Sequence, residues 1–405
     1  MIKAGSLYYA IIICVLVGVC CAAFMLTSHY SKMHGIILQT QSELLNTNTS
    51  GIQYFLNKVN RLGTTPEKVD FFENGIITEG SITNWGFYKV LKVRSVFKRD
   101  TIVRHALLGK KYSNPPALYL VDNDKPVQMV GKAKIKGDAY LPKKGIKKGY
   151  ITSQSFSSFT FLEGNKLRSG NKLPIITGAF SLPDTVGVTK RTLEEIKKGE
   201  IINQSFTDRS LQITVSTPTI TNKIILGNVV ISAKDSLFIT RSNKLEDVVI
   251  MAPIVVFEKG FTGTVQVFSN EKVELEEDVV LKYPSGIYMD GTHLNNREVL
   301  FNEDSKFLGS VVVAKSSSKA PSLISVAKNA QIIGSLYCDG NTDLKGSIIG
   351  SVYTDKFYLK TEASTYENYI EDGQIDQKSL SKDFLGCSFS KEKELIEKYG
   401  VVKML

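Results

Sequence analysis

Residues 224–289 read IILGNVVISAKDSLFITRSNKLEDVVIMAPIVVFEKGFTGTVQVFSNEKVELEEDVVLKYPSGIYM. Apolar residues recur here in pairs at alternate positions: Val229/Ile231, Leu237/Ile239, Val248/Ile250, Ile254/Val256, Val265/Val267, Val273/Leu275, Val279/Leu281 and Ile287/Met289. Residues two apart in a strand point to the same side, so each pair supplies two inward side chains. The steps between pairs are short and uneven. Two or three steps together make about 20 residues, one turn of a right-handed parallel β-helix. Gly260, Gly263, Gly286 and intervening Asn and Asp residues suit its corners. One rung cannot bury its apolar face alone, whereas stacked rungs share a continuous core. A sandwich prefers longer strands joined by Asn-Gly hairpins, and such signals are scarce here. The pattern predicts a mainly β protein with a right-handed parallel β-solenoid over residues 219–376.

After a less regular stretch, 295–321, the pattern resumes with glycines. Ile332-Ile333-Gly334-Ser335-Leu336-Tyr337-Cys338-Asp339-Gly340 is followed by Leu344-Lys345-Gly346-Ser347-Ile348-Ile349-Gly350-Ser351-Val352-Tyr353. These Gly-Ser-aliphatic rungs resemble bactofilins, bacterial β-helix proteins that polymerise end to end. The resemblance implies a stacked fold and, as one functional reading, a scaffold. Beyond Asp376 the tail 377–405 is expected to cap the stack, with a short charged helix from Ser390 to Tyr399. A capped end discourages end-to-end growth.

At the other end of the chain, Leu7 to Leu26 is an uncharged run, LYYAIIICVLVGVCCAAFML. At 1.5 Å per residue it spans about 30 Å, the thickness of a bilayer core. The run predicts a membrane-spanning helix in contact with lipid. Lys3 before it places the N-terminus in the cytoplasm by the positive-inside rule. Apolar residues then continue at helical spacing through Tyr30, Met33, Ile37, Leu44, Ile52, Phe55 and Val59, with polar Gln41 and Asn48 in two of the slots. One helix is therefore expected to run to about Lys58, stopped by Gly63 and Pro66. Its stripe has to pack on the β body or on a neighbouring subunit. Residues 1–62 are read as the membrane and stalk helix.

Gly5-Ser6-Leu7, the apolar run and the continuation Leu44-Leu45-Asn46…Gly51-Ile52-Gln53-Tyr54-Phe55-Leu56 resemble the first helix of type IV pilin-like proteins. They are closest to minor pilins and minor pseudopilins that lack the usual glutamate, since Ala10 stands in its place. The resemblance implies leader cleavage after Gly5 and assembly with other envelope or pilus-like proteins through the helix. Two readings without it stay open: a plain signal anchor, and a secretory signal ending near Cys21-Ala22-Ala23.

Residues 63–218 read as a β-rich middle domain. Its runs include Trp85 to Leu91, Ala117 to Val121, Val127 to Val130 and Gln212 to Val215, with a short helix from Thr192 to Lys198. Asp122-Asn123-Asp124-Lys125-Pro126 reads as a turn held by Asp and Asn side chains, because the oxygen-rich loop of a calcium site is missing. The densest basic cluster comprises Lys132, Lys134 and Lys136, alternating with Ala133 and Ile135, then Lys143, Lys144, Lys147 and Lys148. Such a patch can track an anionic polymer, with Tyr140 and Tyr150 stacking on sugars, or it can be a solvated, lysine-guarded sheet edge.

The net charge of +10 favours anionic partners such as phospholipid, acidic polysaccharide or nucleic acid and does not by itself choose among them. Acidic polysaccharide is retained as a partner, and nucleic acid is not expected. Cys14, Cys20 and Cys21 lie in the apolar run, and Cys338 and Cys387 lie outside it. Spacing alone does not show whether those two are bonded. No phosphate loop, dinucleotide fingerprint, zinc spacing or nucleophile elbow occurs. His29 and His34 are juxtamembrane, and His105 and His293 stand apart from other ligand types. Asp235, Arg241, Asp247, Lys282 and Asp290 are the residues that a sugar-cleaving β-helix face would use. No catalytic, cofactor or metal site is expected. The sequence thus reads as a non-catalytic, membrane-anchored structural or assembly protein of the cell envelope, with its bulk in the periplasm or outside the cell. The alternatives are a surface polysaccharide-binding or -processing β-helix protein and a bactofilin-like scaffold.

Overall fold

A computed structural model describes residues 4–111, 114–151, 154–177, 180, 188–197, 199–289, 291, 296–315, 322–362, 364–386, 388–390 and 398–405. The chain divides into two units. The first holds residues 1–58, 62–81 and 92–104, and the second holds 59–61, 82–91 and 105–405.

In the first unit a single helix, α1, runs over Ala4–Asn57, close to the end that its sequence predicts. It is long and apolar enough to cross a membrane, with a mean hydropathy of 2.8 over its most apolar window. Lys58 N–H bonds back to Phe55 O as the helix ends. The apolar stripe has two fates. Tyr30, Met33 and Ile37 are exposed, while Leu44, Ile52 and Phe55 are buried. The buried half lies on residues of an antiparallel meander built from β1 (Glu67–Asp70), β2 (Ile77–Trp85), β3 (Tyr88–Phe97) and β4 (Asp100–Lys111).

Two glycines set how closely helix and meander approach. A Cβ on Gly51 would fall 2.8 Å from Thr78 Cγ2, and one on Gly80 would fall 2.5 Å from the Phe55 ring. Asn48, in a polar slot of the stripe, is fully buried. Its amide donates to Val93 O and to Ser95 Oγ, both at 3.2 Å. Ser95 in turn shares a 3.0 Å hydrogen bond with Thr78 Oγ1. The polar slot is thus a buried hydrogen-bonding position, which the stripe pattern alone does not distinguish from a solvated one.

In the second unit, Gly86 (φ +61°) and Phe87 form a turn between β2 and β3. The run expected from Trp85 to Leu91 is therefore broken, because a glycine with positive φ reverses the chain. β5 (Leu118–Leu120), β6 (Val127–Val130), β7 (Lys134–Lys136), β8 (Ala139–Leu141) and β9 (Ile146–Lys148) follow. Among the described residues, β5, β7 and β8 join a 23-stranded, largely parallel sheet that extends through Gln374–Asp376.

Parallel register arranges this sheet in columns. One column runs Arg191, Ile213, Ile231, Ile250, Val267, Ile287, Val311, Leu336, Val352, Leu118, Ala139, Lys166, each beside the next. A second runs Leu281, Phe307, Ile332, Ile348, Ile375, Ile135, Leu162. A third runs Ile220, Ile239, Phe257, Leu275, Phe301, Val326, Leu344. The fully buried members of all three belong to one hydrophobic core. Residues 117–141 therefore share sheet and core with residues 219–376.

The spatial order of strands differs from the chain order. From Leu118, third from one end of the first column, the chain proceeds to that end at Lys166–Arg168. It resumes at the opposite end with Thr189–Thr192 and returns step by step to Val352.

Corners between columns repeat a tight turn. Phe261 N–H bonds Glu258 O, Val279 bonds Glu276 O, Ser305 bonds Asn302 O and Ala330 bonds Ala327 O. In each, the third residue has positive φ: Gly260, Asp278, Asp304 and Asn329. Gly, Asp and Asn tolerate that conformation, which is why they stand between the apolar pairs. Elsewhere Gly309, Gly334 and Gly350 stack in register with φ of +152°, +140° and +142°. A Cβ on Gly334 would lie 1.9 Å from Gly309 O. Glycine at these three positions is thus a steric requirement.

Every inward pair expected in residues 229–289 is buried except Ile254/Val256, where Val255 and Phe257 are inside instead. A one-residue slip inverts the faces of a strand, and here Phe257 fills the third column between Ile239 and Leu275. The short helix expected from Thr192 to Lys198 is reduced, among the described residues, to a single 3-10 turn at Leu193–Glu195. The helix expected from Ser390 to Tyr399 falls at 391–397 outside the described residues; its flanks lie in strands, Ser388–Ser390 and Tyr399–Met404. Tyr399–Met404 pairs antiparallel with β4, which supplies a strand edge that the charged tail sequence does not reveal.

Gly334→Ala should cost at least about 2 kcal/mol, because it combines a disfavoured φ with a clash against backbone. Thermal melts of the purified chain check this, with Ser347→Ala on the surface as the neutral control.

Candidate functional site

The lysine cluster separates into two parts. β7 has Ile135 buried, as is Ala133 just before it, and Lys134 and Lys136 outward, as the alternation predicts. It is not an edge, since Gln374–Asp376 pairs with one side and Leu162–Glu163 with the other. Those neighbours supply acids. Lys134 pairs with Glu163 and holds its carboxyl below the usual range, and Lys136 pairs with Asp376 at 2.7 Å. Lys132 is exposed, and its backbone N–H donates to Asp372 Oδ1 at 2.8 Å. Lys143, Lys144, Lys147 and Lys148 are exposed. The last two lie on β9, whose only strand partner among the described residues is β6.

The residues considered for sugar cleavage do not converge. Asp235 and Arg241 flank opposite ends of strand Leu237–Ile239 and are exposed. Asp247 pairs with Lys403, Lys282 is exposed, and Asp290 lies outside the described residues. The turn at Asp122 forms as expected, with Asp124 N–H bonded to Asp122 Oδ1 at 3.2 Å. Gly5, His29 and His34 are exposed on α1, His105 is buried, and His293 lies outside the described residues. Cys338 is fully buried, its thiol pushed up to about 12 by burial and donating to Asn341 O at 3.3 Å. Cys387 lies outside the described residues.

The structure assembles a different feature from residues that the lysine pattern obscures. In most strands of the first column an aromatic or aliphatic residue directly follows the inward one and so faces outward. In register these are Met251, Phe268, Tyr288, Val312, Tyr337, Tyr353, Tyr119 and Tyr140. Ring centroids are 6.3 Å apart for Tyr337 and Tyr353, 6.2 Å for Tyr353 and Tyr119, and 5.4 Å for Tyr119 and Tyr140.

Described residues cover part of this outward column. Tyr119 Oη donates to Lys172 O and accepts from Gly170 N–H, and Tyr337 Oη donates to Pro174 O. The covering residues belong to the connection between Lys166–Arg168 at one end of the stack and Thr189–Thr192 at the other. Burial raises the phenol pKa of both Tyr337 and Tyr353. Tyr140, read from sequence as a stacking surface, is thus part of this packed column, whereas Tyr150 is exposed.

Farther along, the column opens into a cavity of about 500 Å³, bounded by Ser232, Met251, Phe268, Asn270, Tyr288 and Phe180 among others. Phe87, at the β2–β3 turn, sits 4.8 Å from Phe180 and 6.0 Å from Phe268 by ring centroids. Gln266 fixes the turn by accepting Phe87 N–H at 2.7 Å. The dipeptides Val267-Phe268, Ile287-Tyr288, Leu336-Tyr337, Val352-Tyr353 and Leu118-Tyr119 were the sequence signal for this surface.

Acidic residues gather on the strands Gln331–Leu344 and Ser347–Lys360. Burial raises the pKa of Asp339, an effect opposed by Lys315, and burial likewise raises that of Asp355 against Lys356 and Lys315. Asp343 is raised to about 6 by burial, opposed by Lys345. Among the described residues no group of three His, Cys, Asp or Glu is placed to hold a metal ion.

No protein-family model, curated protein or solved structure matches this chain.

Because the Asp343 carboxyl holds its proton to higher pH when folded than when unfolded, its burial costs nothing at low pH. Its contribution to stability falls as pH rises from the ordinary carboxylate range through about 6. Asp343→Asn should therefore raise the stability by on the order of 1–2 kcal/mol at pH 7.5 and by little at pH 4. Parallel thermal melts at the two pH values check the sign.

Proposed function

We propose that this chain is a non-catalytic structural or assembly protein of the cell envelope, anchored by α1 in the inner membrane with its N-terminus in the cytoplasm. In this reading the parallel columns are a right-handed β-solenoid that offers partners a stiff surface. The observation that carries it is the middle of α1. Between the membrane-length run and the half packed on the meander, Tyr30, Met33, Ile36, Ile37 and Leu38 are all exposed. The stretch from residue 27 to 43 is about 25 Å of helix at 1.5 Å per residue. Apolar positions at helical spacing outside the membrane favour a protein partner, and other envelope or pilus-like proteins fit the pilin-like start at Gly5.

The ends of the stack bear on the bactofilin-like alternative. The core-facing column ends in Lys166 on one side and in Arg191 on the other, the latter paired with Glu200 at 2.8 Å. Charges at core-facing positions of the outermost strands oppose the addition of another copy's rung. The anchored, single-stack reading is therefore preferred to an end-to-end filament. Exposed Lys143, Lys144, Lys147 and Lys148 keep an acidic-polysaccharide contact as the second reading.

A photoreactive residue placed at Met33 or Ile37, activated in intact membranes, should give a discrete adduct with another envelope protein. Ile37→Arg should reduce that adduct at least about fivefold without altering the amount of protein. Adducts to lipid alone would refute the assembly role. In spheroplasts, externally added protease should digest the β body, and its protection there would reverse the proposed orientation.

A further inference from the structure

We infer that the end of the sheet at Leu162–Glu163 and Lys166–Arg168 is a docking surface for anionic lipid, a second contact with the bilayer besides α1. These strands close the second and first columns, and among the described residues neither has a strand partner on its outer side. β9 ends in the same way beyond β6. The core is closed here by Ile146, Phe156, Phe161 and Leu162, which are only partly buried.

Apolar side chains project around this end. Phe159 is as exposed as a side chain without neighbours, at 106%, while Tyr150 is 67% and Leu167 39% exposed. Cations stand beside the rings. Lys148 Nζ lies 5.9 Å from the Phe156 centroid and Lys166 Nζ 5.5 Å from that of Phe161, and the two rings are 5.8 Å apart. Segments 143–148 and 166–168 thus bring their charges to one place. Lys143, Lys144, Lys147, Lys148, Lys166 and Arg168 are exposed, and none is ion-paired with a described residue. From residue 139 to 177 the sequence holds seven Lys or Arg and a single acid, Glu163. That acid is already paired with Lys134.

Exposed Phe, Tyr and Leu among Lys and Arg match a membrane interface. The rings and Leu167 enter the boundary between headgroups and acyl chains, while lysine stems lie along it and their ammonium groups stay with the phosphates. Each cation near an anionic leaflet adds about a factor of five in affinity. A polyuronate or nucleic acid would meet the same cations, but stacking on Phe159 would fix a ring that no neighbour holds, at a cost in side-chain entropy. A lipid interface leaves the ring its freedom. Proximity acts in the same direction, and here the inference rests on the proposed anchoring by α1. A chain held in a bilayer keeps its second unit at a high effective concentration of lipid, so a weak second contact suffices. The lysines of the acidic-polysaccharide reading are thereby assigned to lipid.

The test uses the full chain without its native cysteines, with a fluorophore on Thr160→Cys. It is reconstituted in phosphatidylcholine vesicles with or without phosphatidylglycerol, both doped with a lipid spin-labelled high in its acyl chain. Quenching should be at least about fivefold greater with phosphatidylglycerol. Lys144→Glu combined with Lys147→Glu should remove most of that difference, and so should Phe159→Ser. A label on Asn203→Cys, in the strand Ile201–Gln204 at the other end of the sheet, should be quenched in neither lipid. Flotation with either kind of vesicle reads α1 alone. A chain that fails to float yet is quenched by phosphatidylglycerol vesicles would lose the anchor and keep the docking. Equal quenching in both lipids, no quenching in either, or variants quenched like the parent would overturn the inference. Binding of polygalacturonate that Lys144→Glu with Lys147→Glu abolishes, in a chain that lipid does not quench, would overturn it in favour of acidic polysaccharide.

Discussion

The ladder that joins Val352, Tyr353 and Thr354 to Leu118, Tyr119 and Leu120 closes the core of the second unit. A matching ladder in the next column joins Ile375 to Ile135. Without these contacts the strands at 118–168 would expose Leu118, Leu120 and Ile135, each fully buried in the structure. The long return from Thr189 would likewise end on an open apolar face at Val352. Burying a side chain of this size contributes roughly 1.5–3 kcal/mol, so a junction containing several of them dominates the local balance. The junction also joins residues more than two hundred positions apart, and such non-local pairing is expected to form late in folding.

The topology follows from that junction and accounts for the outward aromatic column. Strands entering at Leu118, near one end of the column, and finishing at Arg168 leave the chain at the wrong end for Thr189. The connection must travel back along the stack. Its described part, including Gly170, Lys172 and Pro174, does so over Tyr119 and Tyr337 and bonds their hydroxyls. Outward positions of a solvated sheet would ordinarily be polar. Here they are tyrosine and phenylalanine, and the described part of the connection lies over Tyr119 and Tyr337.

Much of this was legible in the sequence in part. Pairs two residues apart identify inward positions well, because burial of one face enforces a period of two. At Ile254 three consecutive apolar residues before Phe257 leave the phase undetermined, and the buried set is Val255 and Phe257. The junction was invisible, since no local pattern says which distant strands become neighbours. Lys134 and Lys136 looked like a free basic stripe because Glu163 and Asp376, their partners, come from other parts of the chain. The span of α1 was plain from composition and spacing. Its division at about residue 44 depends on Gly51, Asn48 and Gly80, and spacing alone gives such residues no special weight.

The most direct test of the junction is a disulfide between Lys134→Cys and Gln374→Cys in a background without other cysteines. The two positions face outward on adjacent parallel strands. Neighbouring strands lie about 4.8 Å apart, within the range that a disulfide bridges. Mild oxidation should close this pair nearly completely and shift its electrophoretic mobility under non-reducing conditions. Lys134→Cys with Ser347→Cys, one strand farther away, should stay reduced. Failure of the first pair to close, or closure of the second in its place, would contradict the proposed order of strands.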